Sequence, residues 1–383
     1  MVLPLKLEHP SKSGRQILVQ EETVMTTAAD FKMGEYTFPR GWFMIAEANE
    51  LDDAPKAVRF FGKDFALYRG ESGRVVMLDA YCSHMGTHLT ASTSASIVIN
   101  NEQLEGDSIR CPYHGWRYNH KGEVDDIPYF DGPCPKAGNL TSYHVVEEMG
   151  AIFMWHDEEG NEPTWDLPVL EEWNDPHWVN GAYDHLGELE MHPVEVLDNM
   201  ADAFHLGPTH GAPCEYFENE YKDHVYYQRQ GGFHRMYQAY LTTLTWYTGP
   251  GMLMSKQKFG EANGYEFIFN TPIDDGVIKV WHNNLAKAPT ATPGEEDIAN
   301  AKMAQEGALA AFAQDFEIWR NKRPALNIMA TKVEGNFKKG RIWHQQFYNP
   351  HADADNYTSR INGKHHLTSY EKPGELAAEL EAG

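Results

Sequence analysis

Two short segments, Cys82-Ser83-His84 and Cys111-Pro112-Tyr113-His114, each set a thiol close to an imidazole. Two thiolates can hold one iron of a [2Fe–2S] cluster while two imidazoles hold the other. Gly86 and Gly115 follow closely and let backbone amides approach the inorganic sulfurs, where N–H groups stabilise negative charge. A structural zinc site is the rival for two Cys and two His. Its usual pattern is CxxC followed by HxxxH, which this interleaved arrangement fits poorly.

A second constellation lies at Asp198, Asp202, His205 and His210 in VLDNMADAFHLGPTH. On one continuous helix Asp198, Asp202 and His205 would share a face, at i, i+4 and i+7. His210 would then point away from His205, because five residues advance about 500°. A break at Gly207-Pro208 is the expected remedy. Two histidines and one carboxylate on one octahedral face leave positions open for dioxygen, as in non-heme Fe(II) oxygenases. The carboxylate must come from elsewhere in the chain. Asp315 is the choice, since it neighbours the stripe of Phe312, Phe316 and Trp319 and needs a metal or partner to offset its desolvation. Glu317 points elsewhere on that helix and is the weaker candidate.

The elements that must position these residues fall into two groups. From Gly41 to about His156, strand-like runs alternate with turn residues: WFMIAEA, AVRFFG, FALYRG, RVVMLDAY and GAIFMWHD. An all-β domain over 39–157 is expected, inserted into a larger domain made of 1–38 and 158–383, whose first 38 residues read as an irregular, partly helical leader. That larger domain should be α+β, an antiparallel sheet flanked by helices. HPVEVLDNMADAFHL reads as a helix. YQAYLTTLTWYT, GYEFIFNTPI and GVIKVWHNNLA read as strands, the last two joined at Asp274-Asp275-Gly276. The segment from Glu295 to Lys322 reads as a long helix with Leu309, Phe312, Phe316 and Trp319 along one face. Between His84 and Cys111 lies an insertion, TASTSASIVINNEQLEGDS, expected as a surface hairpin.

Composition narrows the classes. The chain has 383 residues, 42 % of them hydrophobic, and a formal charge of −24, which opposes binding to nucleic acid or anionic membranes. No stretch approaches ~18 apolar residues and no secretory pattern opens the chain, so no membrane span and a cytoplasmic location are expected. Four cysteines are too few for a disulfide scaffold; Cys134 and Cys214 are read as buried thiols. His120, His185, His192, His234, His282 and His344 are read as ordinary structural histidines. No GxGxxG follows a strand, so hydride must be accepted by another protein.

RGWFMIAEA, YCSHMG, CPYHGWRY, GAIFMWHDEEGNEP, VLDNMADAFHLGPTH, AQDFEIWRNK and RIWHQQFY resemble, in order, the blocks of the Rieske ring-hydroxylating oxygenase family. The oxygenase component of 3-ketosteroid 9α-hydroxylase is the nearest pattern. The resemblance implies that Cys82, His84, Cys111 and His114 bind a Rieske [2Fe–2S] cluster, and that His205, His210 and Asp315 bind one mononuclear Fe(II). It implies that Asp202 bridges a catalytic-iron histidine and the cluster ligand His114 of a neighbouring subunit, in a homotrimer. A separate NAD(P)H-dependent reductase or ferredoxin would supply electrons. With Thr87, Tyr113 and Trp116 near the cluster ligands, neither a disulfide nor a serine after His-Gly is present. Few hydrogen bonds to sulfur then place the expected potential near the low end of the Rieske range, about −150 mV.

The expected activity is monohydroxylation of a bulky hydrophobic, steroid-like substrate with O2. Trp246, Tyr247, Phe267, Phe269 and Trp281 are candidates for an aromatic lining, and equally for ordinary core. O- or N-dealkylation of an aromatic compound is the alternative reaction. A non-catalytic Rieske electron carrier is the alternative of another class.

Overall fold

The computed structural model describes residues 26–51, 54–235 and 237–367. Residues 1–25 of the expected leader lie outside that range, and the remainder runs through turns to Gly41. Strand Gly41–Glu47 pairs with Ala151–His156, which pairs with Val145–Glu148. Lys56–Phe60, Lys63–Arg69 and Val75–Asp79 form a second three-stranded sheet. Leu104–Glu105, Ser108–Arg110, Arg117–Tyr118 and Val124–Asp126 form a four-stranded one. The insertion is only partly a hairpin: a helical turn at Ser96–Ile99 precedes the tight pair Leu104–Glu105 and Ser108–Arg110.

The largest sheet has nine strands, all antiparallel. Along it run Trp178–Asn180, Val277–Lys287, Ala262–Asp274, Met252–Phe259, Ala239–Thr248, Val225–His234, Tyr216–Lys222 and Gly363–His366, and Asp184–Leu189 also pairs with Val277–Lys287. Period-two alternation gives this sheet two distinct faces. Met252, Met254, Phe267, Phe269 and Trp281 join one core with Phe43, Phe153 and Trp155 of the N-terminal strands and with Phe61 of the turn between two of them. Tyr247, Leu253, Ile268, Ile278 and Val280 join another with Phe312 and Phe316 of the long helix Glu295–Arg320 and with Trp343 of helix Phe337–Gln345.

The helix expected across HPVEVLDNMADAFHL is corrected. A single α-turn, Val194–Leu197, gives way to a 3₁₀ turn, Asp198–Ala201, and Asp202 leaves the helical region at φ −98°, ψ 90°. Gly207 and Pro208 do not break anything. They lie inside the short helix Leu206–His210, in whose first turn a proline has no amide hydrogen bond to lose. The chain breaks at Asp202 because the sheet holds the turn before it. Asn219 Nδ2 donates to the Met200 carbonyl at 2.8 Å, and Gln228 Nε2 donates to the same oxygen at 3.2 Å. Carbonyls tied to side chains in this way are satisfied without an intrahelical partner. Gly335 is required beside them, since a Cβ there would lie 1.7 Å from the Ala201 carbonyl oxygen.

His156 ends its strand deep in the first core, stacked on Phe61 at 4.0 Å with Nδ1 2.9 Å from the Pro39 carbonyl oxygen. Burial pushes its pKa from the usual 6.5 down to about 4. The unfolded chain therefore binds one more proton across that window, and stability is lost as pH falls from 6.5 toward 4. His156→Gln, which cannot charge, should reduce the loss by up to about 1.4 kcal/mol per pH unit. Denaturant melts at several pH values check this; identical slopes would contradict a neutral ring.

Candidate functional site

The first Cys/His loop follows strand Val75–Asp79, and the second connects Ser108–Arg110 to Arg117–Tyr118. Cys82 and Cys111 are buried free thiols. A hydrogen bond from Cys111 pulls the Cys82 thiol well down, assisted by Tyr118 and by the N–H groups of His84 and Met85. The same contact pushes Cys111 up, against the N–H groups of Tyr113 and His114. Backbone donors thus converge on both sulfurs, as an anionic iron–sulfur core requires. Gly86 and Gly115 turn these loops at φ +71° and +75°. The His84 and His114 rings stand 4.6 Å apart, and the buried Nδ1 of His84 has no hydrogen-bond partner. That orphaned nitrogen beside two buried thiols fits a cluster ligand.

The expectation of sparse hydrogen bonding at sulfur needs correcting. The Tyr118 hydroxyl lies 3.1 Å from Cys82 Sγ and 3.1 Å from Ser83 Oγ, which donates to the Gly138 carbonyl at 2.6 Å. Tyr118 is fully buried on a two-residue strand, too short for alternation in the sequence to reveal which way it faces.

The second centre assembles from distant elements. Ligand-capable atoms of His205, His210 and Asp315 all lie within 4.8 Å of one another, and the two rings meet at 80°. His205 Nδ1 is held 2.6 Å from the Asp202 carbonyl oxygen, leaving Nε2 for a metal. His210 Nδ1 is held 2.9 Å from Gln314 Oε1, and its Nε2 lies 3.4 Å from Asp315. Gln314 escaped sequence reasoning because an exposed glutamine on a helix carries no signal until His210 is placed opposite it. Burial works against a charged His210, but Asp315 outweighs it and raises the pKa. The donor set, two imidazoles and one carboxylate, fits a ferrous ion. Glu317 is exposed on the opposite side of the helix.

Asp202 presents one carboxylate oxygen to the Phe204 and His205 amides, at 3.1 and 3.3 Å, and keeps 33 % of its side chain exposed. Burial pushes its pKa up, and the bonds from His205 and Phe204 bring it below the usual value. Asp198 serves the structure, gripped by Arg341 at 3.1 and 2.6 Å. Cys214 is buried, its thiol pushed up to about 12, and Cys134 is half-buried. The proposed aromatic lining is core: Phe267, Phe269 and Trp281 lie in the first core with Trp246 packed against it, and Tyr247 lies in the second.

Two family models match the chain. Residues 41–144 match the Rieske [2Fe-2S] domain family, and residues 154–348 match the family described as 3-ketosteroid 9alpha-hydroxylase C-terminal domain. A 3-ketosteroid-9-alpha-monooxygenase oxygenase component from Rhodococcus rhodochrous is 29 % identical over 328 residues, covering 81 % of this chain and 84 % of its own length. Cholesterol 7-desaturase nvd of Bombyx mori is 26 % identical, covering 82 % of this chain and 70 % of its own. Among solved structures, Pseudomonas putida CBB5 NdmA with caffeine has a TM-score of 0.65 at 14 % identity, covering 90 % of this chain and 99 % of its own. Dicamba monooxygenase with non-heme iron and dicamba has a TM-score of 0.57 at 15 % identity, covering 84 % and 99 %.

Two measurements probe these sites. Tyr118→Phe removes a donor from Cys82 and should lower the cluster's reduction potential, read by protein-film voltammetry; an unchanged potential would place the hydroxyl outside the cluster's influence. Gln314→Leu should weaken iron binding at the second centre about 10–100-fold, read as iron retained against a chelator series. Full retention would show that Gln314 does not orient His210.

Proposed function

The chain belongs to the 3-ketosteroid 9alpha-hydroxylase C-terminal domain family, carries a Rieske domain ahead of it, and is a monooxygenase oxygenase component, and on that premise we propose a division of roles among its residues. Cys82, His84, Cys111 and His114 hold the [2Fe–2S] cluster, and His205, His210 and Asp315 hold the mononuclear iron. The convergence of those last three ligand atoms within 4.8 Å, from a broken helix and a distant long one, is the observation that carries the reading. When bound, the two centres supply one-electron transfer and dioxygen activation.

The chain's own residues prepare for that chemistry. The Asp202 carbonyl and the Gln314 side chain fix the tautomer and aim of the two imidazoles. Asp202 also serves as the bridge to His114 of a neighbouring subunit in a homotrimer. Its carboxylate is one-third exposed, and Met85 and Tyr113, beside the cluster ligands, are 63 % and 62 % exposed. Both ends of an intersubunit path thus reach the surface. Electrons come from a separate NAD(P)H-dependent reductase or ferredoxin, located with this chain in the cytoplasm.

A 3-ketosteroid-like substrate is the first reading, supported by the relatives' names over most of the chain. O- or N-dealkylation of an aromatic compound is the second. It is supported by the solved structures of similar fold, which include NdmA with caffeine and dicamba monooxygenase with dicamba.

The test incubates the reconstituted enzyme with a 3-ketosteroid, cholesterol, caffeine and dicamba and weighs the products. Gain of one oxygen by the steroid supports the first reading; loss of a methyl group from caffeine or dicamba supports the second. His205→Ala should abolish all product while the cluster's visible spectrum survives. Undiminished partner activity in that variant would instead establish an electron carrier.

A further inference from the structure

His282 is unremarkable in the sequence, yet its surroundings are unusual. Its ring is fully buried, with a carboxylate at each nitrogen: Asp184 Oδ2 lies 2.9 Å from Nδ1 and Glu266 Oε1 lies 3.2 Å from Nε2. The two carboxylates come from the strands on either side of it, Asp184–Leu189 and Ala262–Asp274. Above the ring, the long helix contributes Phe312, stacked at 6.3 Å, and Gln305, whose Nε2 donates to Asp184 Oδ2 at 2.9 Å; both are uncharged. Gln257 Nε2 donates to the other Glu266 oxygen at 2.7 Å.

The three acid–base groups form a line with a direction. Asp184, at the outer end, keeps 29 % of its side chain exposed, while His282 is sealed at 0 %. Glu266, at the inner end, keeps 15 %, and the helix that packs on the ring through Phe312 carries Gln314 and Asp315, which meet His210, within its next turn. Burial opposes a charged His282, but Glu266 and Asp184 outweigh it and raise its pKa above the usual 6.5. A buried ion triad costs desolvation that apolar residues of similar volume would avoid. A sheet already packed by Phe312 and Phe316 does not need it for cohesion.

We propose that Asp184, His282 and Glu266 form a proton relay from solvent to the iron side of the sheet. This rests on the reading that His205, His210 and Asp315 hold the catalytic iron. Monooxygenation supplies the demand: RH + O2 + 2e⁻ + 2H⁺ gives ROH + H2O, with electrons from the separate donor and both protons from water. In each passage an N–H bond forms at His282 Nδ1 with a proton delivered by Asp184, and an N–H bond breaks at Nε2 as its proton goes to Glu266. The ring's charge is the same before and after; the passage leaves the proton on Nδ1, and the ring must turn about Cα–Cβ and Cβ–Cγ, so that this nitrogen faces Glu266, before the next passage. Glu266 would then hold the proton on the side of the sheet that faces the long helix.

The test uses the holoenzyme, reduced under argon and mixed with oxygenated buffer, with cluster reoxidation followed by absorbance. Iron content and histidine NMR spectra of each variant are recorded alongside. His282→Ala should slow reoxidation at least about tenfold, with added imidazole restoring the rate in proportion to its concentration. Asp184→Asn, at the more exposed end, should also slow reoxidation while iron content stays at the wild-type level, and should lower the titration midpoint of His282. Wild-type rates in both variants would overturn the relay, as would a slow His282→Ala that ignores imidazole beside an Asp184→Asn of normal rate. Wild-type protein that binds no second iron would instead overturn the iron reading itself, and the relay with it.

Discussion

A carboxylate held under an apolar helix stripe is expensive to keep ionised away from water. Asp315 is in that position, 8 % exposed and flanked in sequence by the buried Phe312 and Phe316. Its neighbours one turn away on the helix, Ala311, Phe312, Ile318 and Trp319, carry no charge to relieve it. What faces it is His210, whose other nitrogen is already committed to Gln314. Nine strands, a broken helix and a helix of 26 residues must be in register before these groups meet. A cation at the meeting point would offset that cost, which would couple metal binding to folding.

The candidate ligands were legible in the sequence because their chemistry is concentrated in short spacings. Cys82 to His84 and Cys111 to His114 are local patterns, and a tight loop follows almost directly from the glycines. Asp315 was legible for another reason, as an acid beside aromatic residues at helical spacing. The geometry of the segment from Asp198 to His210 was not legible. Helical periodicity over a dozen residues predicted one helix, whereas Asn219 and Gln228, which hold the Met200 carbonyl, belong to strands farther along the chain. Tertiary hydrogen bonds overrode local propensity, and no window of sequence contains both partners. Tyr118, Gln314 and His282 were missed for the same reason: each acts on a group distant in sequence or hidden by fold.

The large sheet shows why aromatic content was a poor guide to the pocket. Phe267 and Phe269 alternate with Glu266 and Ile268, so neighbours in sequence serve opposite faces. One face is a dry interface with the N-terminal strands, filled by Phe43, Phe153 and Trp155. The other, toward the long helix, mixes apolar Leu253 and Ile268 with Gln228, Thr245, Ser255 and Glu266. Polar side chains on an inner sheet face must be satisfied, and here they are used: Gln228 fixes the turn before Asp202, Thr245 and Ser255 share a hydrogen bond of 2.8 Å, and Glu266 binds both Gln257 and His282.

Reductive oxygen chemistry needs electrons and protons in equal number, and the fold keeps their sources apart. On the proposed electron side lies Asp202, one-third exposed, next to His205 and outside the sheet. The proton side enters through Asp184, on a strand paired with Val277–Lys287, and passes behind the helix that carries Asp315. Asp184 lies on a different element from Asp202, and its partners are His282 and Gln305. The helix Glu295–Arg320 stands between the two routes, touching the relay through Gln305 and Phe312 and the metal site through Gln314 and Asp315. That one helix therefore positions groups at both the proposed relay and the proposed metal site.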